Sequence, residues 1–114
     1  MDKKEFLRAT VCAGFSNLNG QIMRMCNILD SSQRNLNAVY SLCKNNPNFA
    51  CTEEQITKSI EYLCDSGYLV IDHPNGLQCL YDLKAGGFGM VRLHIPFKGT
   101  QLLMGVLQDP CVEN

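Results

Sequence analysis

Apolar residues keep helical time in the middle of this chain and then change period. Leu36, Val39, Tyr40 and Cys43 fall at i, i+3, i+4 and i+7 within Gln33 to Lys44, the stripe of a helix with one buried face. A second stripe, Ile56, Ile60, Leu63 and Cys64, follows. Thr52 with Gln55 three residues on is a capping-box pattern for its start, and Glu53 and Glu54 suit the positive end of the helix dipole. Gly67 is placed to end this helix in a left-handed conformation. Asn45-Asn46-Pro47-Asn48 parts the two helices, because proline disfavours a helical residue before it, and Phe49 and Ala50 return to the core.

Upstream, Lys3 to Cys12 reads as a short helix with Phe6, Leu7 and Val11 on one side. Leu18, Ile22, Met25 and Leu29 mark another from Leu18 to Leu29. Gly14 and Ser16-Asn17 are expected to break the chain between them, and Gly20 to weaken the first turn of the second. Ser31 or Ser32 is the expected cap of the helix that follows.

Past Gly67 the pattern turns to strand chemistry. Tyr68 to Asp72 and Leu77 to Leu83 are expected to pair around Pro74-Asn75-Gly76, since Asn-Gly is the strongest short hairpin signal. Ala85-Gly86-Gly87 makes another turn, and Met90 to Ile95 alternates like a third strand. Pro96 stops it, and Thr100 to Leu107 reads as a short closing helix. The expected fold class is α+β, in one domain.

Composition narrows the function classes. The chain has 114 residues, 46% of them hydrophobic and 18% charged, which describes a globular domain with a single core. No apolar run approaches the roughly 20 residues that span a bilayer, and the N-terminus lacks the core of a signal peptide. A cytoplasmic protein with no membrane partner is expected. Ten basic residues against eleven acidic give a formal charge of −1, whereas a dedicated DNA binder usually carries a basic face. The seven cysteines include no CxxC pair, and His73 and His94 join no metal-ligand spacing. Buried thiols acting as small hydrophobes are the reading. Gly86-Gly87-Phe88-Gly89 lacks the Gly-Lys-Ser/Thr ending of a phosphate loop, and nothing assembles an acid, base or nucleophile. No enzyme activity, cofactor, metal or small-molecule substrate is expected.

The order helix, glycine, strand, turn, strand in ITKSIEYLCDSGYLVI and the residues after it resembles the third helix and wing of winged helix-turn-helix proteins. NLNAVYSLCKNNPNFACTEEQ resembles the preceding helix and turn. FKGTQLLMGVLQDPCV is similar to the closing segment of small winged-helix proteins of Mu-like prophages, with Lys98-Gly99, Gly105 and Pro110 at that group's spacing. The group's Pro-Gly-Val ending is Pro-Cys-Val here, and Tyr81 to Ile95 looks like an enlarged wing. The resemblance covers residues 33 to 112. It implies a helix-turn-helix over 33–66, a two- to three-stranded wing sheet over 68–95 and a closing helix over 97–108, and the helical pattern upstream makes 1–30 an N-terminal helical extension that the resemblance does not cover.

The function this implies is a small DNA-binding or regulatory protein, of prophage or mobile-element origin. Gln55, Thr57, Lys58 and Ser59 would read the major groove of double-stranded DNA, the tip at Asn75 would approach the backbone, and Lys84 and Arg92 would contact phosphates. Against this stands the outward face of the same helix, where Glu53, Glu54, Glu61 and Asp65 oppose a lone Lys58. The alternative is a non-catalytic protein-interaction or dimerisation module on the same scaffold, not binding DNA. In that reading the Leu18/Ile22/Met25/Leu29 stripe would be the seam of a homodimer.

Overall fold

The computed structural model of this chain describes residues 3–29, 33–46, 51–82 and 85–113. Among them the elements run α1 (Lys3–Ile28), α2 (Leu36–Lys44), α3 (Glu53–Asp65), β1 (Val70–Asp72), α4 (Cys79–Asp82), β2 (Arg92–His94) and α5 (Phe97–Leu103). The fold is α+β. No helix among the described residues is long and apolar enough to cross a membrane.

The strongest local signals form as their chemistry requires. Thr52 Oγ1 accepts from the Gln55 N–H at 3.2 Å and Gln55 Oε1 accepts from the Thr52 N–H at 2.9 Å, so two N-terminal donors of α3 are satisfied reciprocally. Gly67 leaves the helix at φ +82°, a conformation open to glycine without a Cβ clash. Leu36, Val39, Tyr40 and Cys43 are buried together, as are Ile56, Ile60 and Leu63, with Cys64 packed partly against them.

Four expectations are corrected. First, α1 runs unbroken through Gly14 and Ser16-Asn17. The C-terminal segment lies against it there: the Glu113 N–H donates to the Ser16 carbonyl at 3.0 Å and Arg24 Nη1 to the Glu113 carbonyl at 3.1 Å. A Cβ on Gly20 would stand 2.1 Å from the Glu113 carbonyl oxygen, so the glycine makes room for the tail. Second, Asn35 caps α2, its side chain accepting from the Ala38 N–H at 2.9 Å; the cap is neither Ser31 nor Ser32.

Third, the expected strand from Leu77 to Leu83 is helical over its described residues, Leu77 to Asp82. Gly76–Gln78 is a 3-10 turn leading into α4, with consecutive Cys79 and Leu80 both buried, where a strand would send them to opposite faces. The true partner of β1 is β2, antiparallel, with Val70 opposite His94, Ile71 opposite Leu93 and Asp72 opposite Arg92. Fourth, the Leu18/Ile22/Met25/Leu29 stripe is not surplus to the core. Leu18 and Ile22 are buried and Met25 packs against the same core, so these three residues serve the interior of this chain, while Leu29 is half-buried outside it. The closing helix begins at Phe97, straight after Pro96, as the 97–108 bound has it and ahead of the apolar pattern from Thr100, and it ends at Leu103, short of both.

The expected buried face of Phe6, Leu7 and Val11 rests on side chains that the structure does not describe, and the Pro47 stop and the return of Phe49 and Ala50 to the core lie outside the described residues. Among the cysteines Cys26, Cys43 and Cys79 are buried thiols and Cys51 and Cys64 half-buried ones. Cys111 departs from that reading, being disulfide-bonded.

A polar latch holds the C-terminal segment. Asp109 accepts from the Tyr62 hydroxyl at 2.7 Å, the Tyr68 hydroxyl at 2.8 Å and the Cys111 N–H at 2.8 Å. Burial works to raise the Asp109 carboxyl, but those three donors and nearby Lys98 more than offset it and hold the group below its ordinary range. A depressed folded pKa adds stability above the unfolded pKa and loses it as pH falls through the folded one. The latch therefore weakens below about pH 4. Asp109→Asn is expected to cost about 2 kcal/mol at neutral pH and to flatten the acid-side decline in urea-unfolding stability. A variant whose stability falls with acid as steeply as the parent's would contradict this.

Candidate functional site

The outer face of α3 and the described parts of the connection, 73–82 and 85–91, form one surface, because Tyr81 and Phe88 pack back onto the two central helices. Phe88, from the 3-10 segment Ala85–Met90, stacks on Tyr40 of α2 with ring centroids 5.0 Å apart and planes at 26°. Tyr81, on α4, donates its hydroxyl to the Glu61 carboxylate of α3. Between these anchors the Tyr40 hydroxyl is hydrogen-bonded to Thr57 Oγ1. Burial pushes the Tyr40 phenol up to about 12, the Thr57 bond pulls it down, and Glu53, Tyr81 and Glu61 raise it further. The Tyr81 phenol is raised chiefly because Glu61 accepts its proton in a hydrogen bond. Both hydroxyls stay protonated and act as donors at neutral pH.

Charge on this surface is arranged against phosphate. Lys44 Nζ lies 3.0 Å from Glu53 Oε2, and Lys58 Nζ lies 3.4 Å from Glu54 Oε1 one helical turn away. Such exposed pairs add only about 0–1 kcal/mol to stability. Their consequence is for binding: each lysine already has a carboxylate, so a phosphate would have to displace it. Glu61 and Asp65 extend the acidic face, which sets four carboxylates against two lysines. Such a field disfavours an anionic duplex and favours a cationic partner.

The residues expected to read DNA are dispersed. Gln55 is exposed, but its side-chain oxygen is engaged in the capping box. Thr57 is half-buried, donating to the Glu53 carbonyl at 2.9 Å. Lys58 is exposed and paired. Ser59 is fully buried, its hydroxyl donating to Asn19 Oδ1 on α1. It lies on the core side with Ile56, Ile60 and Leu63, so its place among the groove readers is corrected. Asn75 is exposed before the Gly76–Gln78 turn, its N–H donating to His73 Nδ1 at 3.1 Å. Arg92 stands on the exposed side of β2, opposite Asp72 and bridged to Asn35. Lys84 lies outside the described residues. Lys98 lies past the C-terminal end of α3, its Nζ 5.3 Å from the centre of the Tyr68 ring.

Tyr81 and Phe88 are the site residues that sequence reasoning misses. The apolar pattern puts Tyr81 in a strand and Phe88 in a loop of glycines. The signal for Tyr81 is the i, i+3 spacing of Leu77 and Leu80, which fits a helical turn better than a strand. Tyr81 remains 60% exposed, an aromatic group with a polar tip, the type favoured at protein interfaces. No family model, curated protein or solved structure matches this chain.

Proposed function

We propose that this chain is a non-catalytic interaction module on a winged-helix scaffold, whose acidic α3 face receives a basic segment of a partner protein. The scaffold reading draws on the order α1, α2, α3, β1, β2. It draws also on the bridge between Asn35 and Arg92, with the Leu36 N–H donating to the Val91 carbonyl and the Leu93 N–H to the Arg34 carbonyl, each at 3.0 Å. The chain ahead of α2 thus lies along β2 in the place of a third strand. The likeness to Mu-like prophage proteins favours the same scaffold and a mobile-element setting. Its marker residues have structural work here: Gly99 lies against the Tyr68 carbonyl and Gly105 turns the chain at φ +79°.

The observation that carries the interaction reading is the pairing of Lys44 and Lys58 with carboxylates of α3 itself, beside an exposed Tyr81 bound to Glu61. A partner's arginine or lysine side chains would meet Glu53, Glu54, Glu61 and Asp65, and Tyr81 would offer an aromatic face to a guanidinium. The test is fluorescence anisotropy with a labelled arginine-rich peptide. Salt-sensitive binding is expected, weakened about tenfold (~1.4 kcal/mol) by Glu54→Gln with Glu61→Gln. Equal affinity of parent and variant, or no binding, would overturn the assignment. DNA binding through Lys58, Asn75 and Arg92 is the second reading, favoured by the scaffold and opposed by the charge of α3.

A further inference from the structure

Two thiols meet where α2 hands over to α3. Cys43, in the last turn of α2, is buried and Cys51, just ahead of the Thr52 cap, is half-buried. Cys51 Sγ donates to the Cys43 carbonyl at 3.4 Å, which brings Cys51 beside Cys43 at the end of α2. On its other side Cys43 Sγ lies 3.6 Å from Met25 Sδ, so α1 confines it near Cys51.

We propose that Cys51 and Cys43 form a redox-active dithiol, a modification site that reacts with low-molecular-weight disulfides and closes to an internal disulfide. The more accessible Cys51 is the attacking group. Its thiolate attacks one sulfur of the disulfide RSSR, forming a Cys51–SR bond as the S–S bond breaks and one RS⁻ leaves. The Cys43 thiolate then attacks Cys51 Sγ and expels the second RS⁻. The protein dithiol is oxidised, RSSR is reduced to two RSH, and the two protons lost by the cysteines end on the expelled thiolates. The product ties the end of α2 to the start of α3 beside the Lys44–Glu53 pair, and so stiffens the turn below the acidic face.

Burial sets the pace. It pushes Cys43 up to about 12 and raises Cys51 as well. Few thiolates exist at neutral pH, so closure is slow there and accelerates as the solution is made alkaline.

The experiment uses the folded full chain and oxidised glutathione, followed by acid quenching, alkylation under denaturing conditions and tryptic mass spectrometry. Cleavage after Arg34, Lys44 and Lys58 separates the two cysteines, so closure appears as peptide 35–44 joined to peptide 45–58. The Cys111 disulfide carries no thiol and does not enter the count of lost labels. The expected result is that joined pair, with the Cys43→Ser variant stopping at a glutathione adduct on Cys51. A stable Cys51 adduct in the parent with Cys43 still alkylated, linkage of either residue to another cysteine, or no loss of label at either position would each overturn the proposal. The parent's own peptide map decides between these outcomes, so a variant that fails to fold leaves the test intact.

Discussion

Gly99→Ala is expected to destabilise this protein by about 3 kcal/mol, the upper end of the usual cost of overpacking. Gly99 is buried in α5, and a Cβ built there would stand 2.2 Å from the Tyr68 carbonyl oxygen and 2.7 Å from Ile95 Cγ2. One obstacle is backbone, which does not rotate away as a side-chain tip would. The helix must instead move off the Tyr68 backbone ahead of β1, taking with it Leu102, which is fully buried. It would also draw Lys98 from the Tyr68 ring. In thermal unfolding followed by circular dichroism the midpoint should fall by roughly 10 °C. A midpoint within about 2 °C of the parent would show that α5 does not seat on the Tyr68 backbone as described.

A loss of similar size, about 3 kcal/mol, is expected of Asn19→Ala, for polar reasons. Asn19 is fully buried on α1. Its Nδ2 donates to the Cys111 carbonyl at 2.8 Å, and its Oδ1 accepts from the Ser59 hydroxyl. Truncation strands the Ser59 hydroxyl inside the core, deprives the tail carbonyl of its donor and leaves a void, and each of these adds to the cost. Ser59→Ala alone should cost less, about 1–2 kcal/mol, because it strands a single acceptor. The double variant should be less damaged than the sum, since removing both partners removes the stranded groups. Strict additivity of the two changes in urea unfolding would mean that the pair does not act as a unit.

What can be read from the residues alone follows the range of the forces involved. The Thr52 capping box, the stripe from Leu36 to Cys43 and the Gly67 stop are set within one or two helical turns, and all three form as expected. The pairing of β1 differs from expectation because strand partners are chosen by tertiary packing. Pro74-Asn75-Gly76 is a sound turn signal, yet it leads into a helical turn, and β1 waits for Arg92–His94. Gly20 reads locally as a weak point in a helix. Its reason, the Glu113 carbonyl crossing above it, lies at the other end of the chain.

The candidate site divides the same way. The acidity of Glu53, Glu54, Glu61 and Asp65 is visible in the helical pattern. Ser59 reads as an outer-face residue because serine looks polar and its buried partner, Asn19, is 40 residues away in sequence. The stacking of Phe88 on Tyr40 joins residues 48 apart in sequence, which no local pattern records.

That the outer face of α3 is built against DNA is tested most directly by titrating a fluorescent mixed-sequence duplex at about 50 mM salt, where phosphate contacts are strongest. The parent should not bind. The variant combining Glu53→Gln, Glu54→Gln and Glu61→Gln, which releases Lys44 and Lys58 from their carboxylates, should gain weak, salt-sensitive affinity. Tight binding by the parent, lost on Lys58→Ala or Arg92→Ala, would contradict the interaction reading and restore α3 as a DNA-reading helix.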